Sequence, residues 1–296
     1  MAARPWSEAW HDALYGAGGL FGSSRPLEHF RTAVANPAFA RAVRVLAGRV
    51  DEALGRPDPF DLVDLGAGGG ELLQALPEVP ARWRLTGVDL QPGPAGRRWS
   101  RAVPVTTGLL LANEWLDAVP LDVVADGRLV LVGTDGTEVA GDPAPYHRAW
   151  ADRWWPGAHR VEVGSARDRA WAAAVGQVDR GLAVAVDYAQ DRSRRPTLTG
   201  YRRGRQVWPV PDGTCDLTAH VTVESCAAAT GARLLRQAGA LEGLGVTARL
   251  PGPSEAAYAL GLQEASWARE LLDPAGLGGF TWLVQEVGLP AGSIGL

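Results

Sequence analysis

The feature that most constrains the fold is a cluster of glycines between an apolar segment and a helical one. Phe60–Leu65 is short and mostly apolar, Gly66–Gly70 contains four glycines and one alanine, and Glu71–Leu76 has a helical pattern. Because glycine has no Cβ, the backbone can turn sharply there and approach a bound ligand closely. The sequence therefore predicts a strand, a tight turn and a helix, with a ligand site at the turn.

The second part of the pattern is an acidic residue at the end of the next predicted strand. Arg84–Asp89 ends in a carboxylate, at the edge where open α/β sheets bind ligands. A carboxylate can accept hydrogen bonds from both hydroxyls of a ribose. Taken singly, Asp89 could cap a turn and Gly66–Gly70 could be a plain loop. The order strand, glycines, helix, strand, acid predicts a cofactor site.

The residue after the glycines distinguishes between cofactors. A dinucleotide-binding turn would need a glycine at position 71, where Glu71 stands, and this carboxylate would repel a pyrophosphate. The pattern resembles that of methyltransferases, in which the acid holds the ribose of S-adenosyl-L-methionine and the glycine turn packs against the methionine portion. The predicted cofactor-binding residues are Asp64, Gly66, Ala67, Gly68, Gly70, Asp89, Leu90 and Asn113.

Strands that alternate with helices predict an α/β fold, a mostly parallel sheet with helices on both faces. An N-terminal helical cap is expected over residues 1–55, and a domain over 56–296 with substrate-covering insertions at about 121–165 and 190–221. Further predicted strands are Leu109–Ala112, Leu182–Val186 and Phe280–Val287, with a hairpin over Val123–Val132. Helices are predicted over Pro5–Leu54, Ser165–Val175, Thr222–Ala238 and Ser254–Leu272, and a long surface loop over Arg192–Asp216.

Polar residues directly after the third buried strand predict where the chemistry takes place. Asn113 and Glu114 lie there, at the expected cofactor crevice. A guanidinium stays protonated near neutral pH, so a carboxylate would have to bind it and localise its charge before a nitrogen can attack. Glu114 is the candidate for that contact, with Asp117 or Asp187 assisting. The alternative is that Asn113 caps a helix starting near Trp115 and that Glu114 is solvated.

A histidine near the end of the long loop is a further candidate. Asp216 and His220 are four residues apart and would share a face if that stretch were helical. His220 could line an acceptor pocket as a proton acceptor, or it could hold the loop through hydrogen bonds. Both interpretations stay open. The predicted catalytic residues are Glu114, Asn113, Asp117 and His220.

Composition excludes several classes of function. The formal net charge is −4 and no long basic block occurs, which argues against a nucleic-acid partner. Cys215 and Cys226 match no metal-ligand spacing, so no metal is expected. We find no signal peptide and no apolar stretch near 18 residues, and we expect a soluble, cytoplasmic protein without a membrane partner. The oligomeric state is not predicted.

Several blocks along the chain resemble one known family, the MidA-type methyltransferases. The resemblance covers most of the chain, and the second and fifth of the blocks below are more specific than the glycine turn. It implies a class I, Rossmann-like fold, S-adenosyl-L-methionine as cofactor and, from a mitochondrial branch involved in complex I assembly, a protein arginine as acceptor. The blocks are Asp64–Gly70, Ala112–Pro120, Val186–Tyr188, Thr199–Arg202 and Asp216–Val221, with Ala13–Gly16 before them and Gly279–Phe280 after them.

The chain also departs from the family pattern. Gly204 stands where the family usually has a histidine, Asp89 where it has glutamate, and Glu28–Val34 differs from the usual segment. These departures affect the substrate more than the cofactor. Two other functions therefore stay open beside a protein methyltransferase: a small-molecule O- or N-methyltransferase, and a non-catalytic assembly factor that retains the fold.

Overall fold

The structure is a computed structural model that describes residues 3–22, 32–189, 195–252 and 258–296. Its helices are α1 Trp6–Tyr15, α2 Pro37–Ala53, α3 Glu71–Ala75, α4 Pro145–Trp154, α5 Ser165–Val175, α6 Val223–Thr230, α7 Gln237–Gly243 and α8 Tyr258–Leu272. Its strands are β1 Arg4–Pro5, β2 Phe60–Leu65, β3 Trp83–Val88, β4 Trp99–Ser100, β5 Thr106–Asn113, β6 Asp122–Ala125, β7 Arg128–Val132, β8 Glu138–Pro143, β9 Arg160–Val163, β10 Val178–Asp187, β11 Thr199–Arg202, β12 Arg205–Val207, β13 Asp216–Thr218, β14 Arg233–Arg236 and β15 Thr281–Val287.

The chain forms two compact units, and each is assembled from three separate stretches. Unit 1 comprises Met1–Arg31, Trp115–Ala173 and Tyr188–Thr230, and unit 2 comprises Thr32–Glu114, Ala174–Asp187 and Gly231–Leu296. Both predicted insertions fall within the residue ranges of unit 1. Helix α2 of the predicted N-terminal cap is part of unit 2. The division at residue 55 stays a prediction.

Unit 2 contains a seven-stranded sheet in the order β14-β15-β10-β5-β2-β3-β4. The pairs from β10 to β4 are all parallel, whereas β15 is antiparallel to both of its neighbours. Helix α3 connects β2 to β3, and α5 directly precedes β10, so the predicted α/β fold with a large sheet is confirmed. The carboxyl ends of β2, β3, β5 and β10 consequently lie along the same edge of the sheet.

The central strands of this sheet are buried because their sequences are nearly continuous apolar runs. All six residues of β2 are buried, and Leu109–Leu111 and Leu182–Val186 are at most 1% exposed. Such runs are typical of parallel strands that are covered on both faces. Helix α2 packs on this core through an apolar face that includes Phe39 and Leu46. It begins at Pro37, after Asn36 accepts a hydrogen bond from the backbone N–H of Ala38.

Unit 1 is built on antiparallel pairing. Strands β1, β7, β6 and β9 form one sheet with β8 beside β7, and β12, β11 and β13 form a second, small sheet. The predicted hairpin over Val123–Val132 is confirmed, because β6 and β7 pair antiparallel. Helix α1 contributes Trp6, Trp10 and Leu14 to the core of this unit.

The prediction of an irregular loop over Arg192–Asp216 is wrong for the residues that the structure describes there. Strands β11 and β12 form a hairpin, and β11 also pairs with β13. The two-residue turn, Arg203 and Gly204, has positive φ angles of 51° and 74°, the conformation that tight hairpins need. The strands are three or four residues long, which is too short for their alternation to show in the sequence. Gly204 therefore serves this turn.

The prediction of one continuous helix over Thr222–Ala238 is also wrong. Helix α6 ends at Thr230, strand β14 follows, and α7 begins at Gln237. Gly231 has a φ of 77°, a conformation that commonly ends helices, and the apolar pair inside β14 then joins β15. The predicted helical region Pro5–Leu54 contains α1 and α2 as separate helices. Residues 23–31, and residues 253–257 at the start of the predicted helix Ser254–Leu272, lie outside the described residues.

Among the residues described above, no helix is both long and apolar enough to cross a membrane.

A close backbone approach in the large sheet generates a prediction about stability. A Cβ on Gly108 would lie 2.0 Å from the backbone oxygen of Asp61 on β2, and its φ is 151°. We expect Gly108→Ala to lower the free energy of unfolding by about 3 kcal/mol or more, measured by denaturant titration. The matched control is Gly239→Ala in α7, where no atom lies within 4 Å of the added Cβ. It should be neutral or stabilising by up to about 1 kcal/mol. Equal stability of the two variants would contradict the tight strand contact.

Candidate functional site

The glycine turn predicted from the sequence connects β2 to α3. Gly66, Gly68 and Gly70 have φ angles of 76°, 55° and 81°, which side chains with a Cβ rarely adopt. The backbone N–H groups of Gly66 and Ala67 donate to the carbonyl of Val88, at 2.9 and 3.1 Å. The turn is thereby fixed to the end of β3, the neighbouring parallel strand.

Asp89 lies directly after β3 and contacts the same turn. Its Oδ2 accepts from the backbone N–H of Gly68 at 3.0 Å, and its Oδ1 accepts from that of Gln91 at 2.9 Å. The side chain is half-buried. Since each carboxylate oxygen can accept more than one hydrogen bond, these contacts leave capacity for the hydroxyls of a ligand. Leu90 beside it is 42% exposed, so an apolar surface adjoins the carboxylate.

Three carboxylates concentrate negative charge around the turn. Burial raises the pKa of Asp64 to about 7, and the charges of Glu71 and Asp89 add to that rise. Burial also raises the pKa of Asp89; backbone hydrogen bonds from Gln91, Gly68 and Leu90 oppose that rise, whereas the charge of Glu71 adds to it. A cationic ligand would relieve this repulsion. S-adenosyl-L-methionine, with its sulfonium and ammonium groups, therefore fits the charge of the site, whereas a pyrophosphate does not.

Asn113 and Glu114 lie at the carboxyl end of β5 in the same unit. Glu114 has a φ of 50°, and its backbone N–H donates to the carbonyl of Val186 on β10. Its Oε1 accepts three hydrogen bonds, from Thr32 Oγ1 at 2.5 Å, Ala33 N at 3.2 Å and Asn113 Nδ2 at 3.0 Å. A non-glycine residue in this conformation costs about 1–3 kcal/mol and is frequent at functional sites. The contacts with Thr32 and Ala33 hold the carboxylate in one orientation.

The alternative interpretation, in which Asn113 caps a helix and Glu114 is solvated, is wrong. Residues 114–120 form turns and bends, so no helix begins near Trp115 for Asn113 to cap. Asn113 is the last residue of a strand and Glu114 is half-buried, not fully solvated. Asp187, the proposed assistant of Glu114, ends β10 and is 1% exposed.

The other two predicted catalytic residues belong to unit 1. Asp117 is buried, and its Oδ2 accepts from Tyr188 Oη and from Thr218 Oγ1, the latter at 2.8 Å. His220 is exposed, and its ring meets the ring of Tyr188 edge-on with centroids 5.2 Å apart. Its backbone N–H donates to Thr197 Oγ1 at 2.9 Å. That contact is of the kind expected if this segment helps to hold the loop.

Asp216 and His220 would share a face only if their segment were helical. It is not, because Asp216–Thr218 is strand β13. Its pairing with β11 supplies the backbone partners that a helix would otherwise provide. Burial raises the pKa of Asp216 to about 8, and the charge of Asp117 adds to that rise.

Some residues around the predicted sites were not found by sequence reasoning. Thr32 contacts Glu114 across 82 positions of sequence, and no local pattern signals it. Arg167 is 1% exposed and donates to the carbonyls of Asp117, Val119, Ala219 and His220. It joins two segments of unit 1 that carry predicted residues. An arginine inside a predicted helix gives no hint of such a role.

The part of the chain that the structure describes contains no group of three or more histidine, cysteine, aspartate or glutamate side chains arranged to hold a metal ion.

The fold and the glycine turn of unit 2 define an α/β protein with a candidate ligand site at the carboxyl ends of its parallel strands. Residues 94–240, just under half of the chain, match a family model described as "Putative S-adenosyl-L-methionine-dependent methyltransferase". The description of this model agrees with the methyltransferase resemblance and with the cofactor that the sequence predicts. No curated protein matches the chain in sequence.

Two crystal structures of proteins from Burkholderia thailandensis share the fold. One is described as a superfamily member and "likely methyl transferase" bound to S-adenosyl-homocysteine; it is 22% identical, with a TM-score of 0.75, over 98% of this chain and 89% of that one. The other is an uncharacterized protein of the same superfamily, 24% identical with a TM-score of 0.76, over 99% of this chain and 90% of that one. At these identities the likeness shows the fold alone.

The raised pKa of Asp64 generates a prediction about pH and stability. The folded chain retains this proton up to about pH 7, whereas an unfolded aspartate loses it near pH 4. Stability should therefore fall as pH rises from about 4 to about 7, and the full penalty should be present above that range. We expect Asp64→Asn to raise the melting temperature at pH 8.5 by several degrees, and to change it little at pH 4.

The matched control is Asp179→Asn, at an exposed position of the same unit. It should shift the melting temperature by less than about one degree at both pH values, since isolated surface charges contribute little. If Asp64→Asn gave the same shift at pH 4 as at pH 8.5, ionisation of Asp64 would not be the cause.

Proposed function

We propose that the protein transfers a methyl group from S-adenosyl-L-methionine to an acceptor, and that unit 2 holds the cofactor in a class I, Rossmann-like arrangement. One observation carries the proposal: the turn of Gly66, Gly68 and Gly70 is hydrogen-bonded to the end of the next parallel strand, where Asp89 follows. The bound cofactor supplies an electrophilic methyl group on a cationic sulfur. The protein has to bind it, orient it and position the acceptor.

The residues of the turn divide these tasks. Asp89 would accept hydrogen bonds from the ribose hydroxyls, and the exposed side chain of Leu90 would pack beside the adenosine. Asp64 and Glu71 supply negative charge for the cationic methionine portion. The backbone of Gly66–Gly70 allows that portion to approach closely. Methyl transfer is an in-line displacement, so its acceleration should come mainly from positioning and local electrostatics.

For the acceptor, we propose a protein arginine, as in the mitochondrial branch that the sequence resembles. The support is the pair Asn113 and Glu114 at the carboxyl end of β5, together with the buried Asp187 at the end of β10. Asp117 and His220 stay predicted catalytic residues of unit 1. A small-molecule acceptor is the second candidate, because Gly204 departs from the family pattern. We further propose a cytoplasmic location, on the low cysteine content of the chain.

The ribose assignment is tested by substitution of Asp89. We expect Asp89→Ala to weaken binding of S-adenosylhomocysteine by about 10- to 100-fold in calorimetry, because hydrogen bonds to a charged group contribute about 1.5–3 kcal/mol. Asp89→Glu keeps the carboxylate and should bind within about tenfold of the wild type. Glu78→Ala, an exposed acid of the same unit, is the control for general charge effects. Unchanged affinity in Asp89→Ala would remove the ribose assignment.

The role of Glu114 is tested separately from cofactor binding. Glu114→Gln keeps the shape of the side chain and an acceptor oxygen but removes the charge. We expect S-adenosylhomocysteine affinity to stay within about threefold and methyl transfer to lysate protein to fall about 100-fold, as for loss of an electrostatic contact in the transition state. Full activity would discard this role. Label found only in small molecules would favour the second candidate, and absence of cofactor binding in the wild type would favour the assembly factor.

A further inference from the structure

The amide oxygen of Asn113 stands apart from the other polar atoms of the site. The side chain is 6% exposed, and its Nδ2 donates to Glu114 Oε1 at 3.0 Å and to Thr32 Oγ1 at 3.5 Å. Its Oδ1 is buried and, among the described residues, has no hydrogen-bond partner. A buried acceptor without a hydrogen-bond partner costs about 1–3 kcal/mol. About nine in ten or more buried backbone polar groups, and most buried side-chain ones, have such a partner. Such an atom at a ligand-binding edge points to a donor on the ligand.

The orientation of this amide is fixed by two acceptors. Glu114 Oε1 is a carboxylate oxygen, so a flipped amide would bring two acceptors to 3.0 Å. Thr32 gives its only hydroxyl proton to Glu114 Oε1, so Thr32 Oγ1 also presents a lone pair to Nδ2. Both neighbours therefore require Nδ2 on their side. The oxygen must then occupy the opposite side of the amide.

The register of the sheet relates Asn113 to the cofactor turn. Ala112 pairs with Leu65, the residue before Gly66, and Asn113 itself pairs with Val186 on β10. Asn113 thus ends the strand between β10 and the strand that enters the turn. Ligands of open α/β sheets bind at this edge. The partnerless oxygen belongs to a residue at that edge.

We propose that Asn113 Oδ1 accepts a hydrogen bond from an N–H group of the methyl acceptor, so that the acceptor atom is a nitrogen. This inference rests on the proposed function and adds the contact that would hold the acceptor nitrogen, whether the acceptor is a protein arginine or a small molecule. In the transfer, the lone pair of the nitrogen forms the new N–C bond while the C–S bond breaks with its electron pair to sulfur. The alkylated nitrogen then releases one proton to solvent.

Oxygen acceptors do not fit this amide. A carboxylate acceptor would bring its lone pairs against those of Asn113 Oδ1. A hydroxyl has one proton, which it must lose, and an amide oxygen is too weak a base to take it. A nitrogen with two protons can keep one N–H on Oδ1 throughout the transfer, which fixes the direction of its lone pair. The carboxylate of Glu114, held by Thr32 and Ala33, would oppose the positive charge that develops on the nitrogen.

In this arrangement Thr32 is a positioning residue, since it acts through Glu114 and the amide. Thr32→Val has nearly the same shape but lacks the hydroxyl, and Thr32→Ser retains it. We expect Thr32→Val to lower kcat about tenfold with KM for S-adenosyl-L-methionine within about threefold, and Thr32→Ser to restore most of kcat. A purely structural role would lower the melting temperature of Thr32→Val without this split between kcat and KM.

The decisive experiment follows the labelled methyl group. Purified full-length protein is incubated with methyl-labelled S-adenosyl-L-methionine and a cell lysate, and products are separated after acid hydrolysis and after mild base. We expect label in acid-stable N-methyl compounds. Label released by base as methanol, or found in O-methyl compounds, would overturn the inference while leaving methyltransferase activity intact. A wild type that neither binds S-adenosylhomocysteine nor transfers label would overturn the proposed function, and this inference with it.

The amide itself is tested by Asn113→Ala, with calorimetry beside turnover. We expect N-methylation to fall about 10- to 100-fold, as for loss of one hydrogen bond in the transition state. S-adenosylhomocysteine affinity should stay within about threefold, because this inference gives the oxygen of Asn113 to the acceptor and not to the cofactor, for which the sequence predicts it. If affinity fell as far as turnover, the oxygen would bind the ammonium of the cofactor and the proposal would be wrong. Turnover equal to the wild type would also overturn it.

Discussion

The hydrogen bonds between the glycine turn and the end of β3 are the contacts on which the candidate site depends. Val88 accepts from Gly66 and Ala67, and Asp89 accepts from Gly68, so three successive N–H groups of the turn are held by two successive residues of the neighbouring strand. This is only available to parallel neighbours, whose carboxyl ends meet at one edge of the sheet. The same edge receives the end of β5. The position of Asn113 and Glu114 therefore follows from strand direction before any side-chain contact is considered.

That edge concentrates carboxylates beyond what the fold requires. The charges of Glu71 and Asp89 raise the pKa of Asp64, and the charge of Glu71 raises the pKa of Asp89, which opposes folding at neutral pH and above. A group of acids that lowers stability is expected to have a compensating role in binding. A cationic cofactor supplies the missing positive charge, so binding should draw protons off the site. In the sequence, Glu71 was only an argument against a dinucleotide. In the structure, its negative charge is also one reason why a cationic sulfonium fits the site.

How much could be predicted from the sequence depended on how local the signal was. Phe60–Leu65 and Ser165–Val175 were predicted with the observed bounds. The sequence signals for a buried parallel strand and for a helix both lie in consecutive residues. Strand β14 was missed because its edge position in the sheet is set by pairing with β15, almost fifty residues later. Thr32 was missed for the same reason, since no sequence pattern around it indicates a contact with Glu114. The candidate site residues were identified as residue types in the right order, but their hydrogen-bond partners were not.

The backbone of Glu114 shows why the partners matter as much as the residue types. A φ of 50° is unfavourable for glutamate, and glycine would adopt it without strain. Glycine would, however, remove the carboxylate that accepts from Thr32, Ala33 and Asn113. The three hydrogen bonds to a charged group can offset the strain, and they also decide which way the Asn113 amide faces. The strain at residue 114 is thus coupled to the orientation of one oxygen at residue 113, and that oxygen is what a nitrogen acceptor would meet.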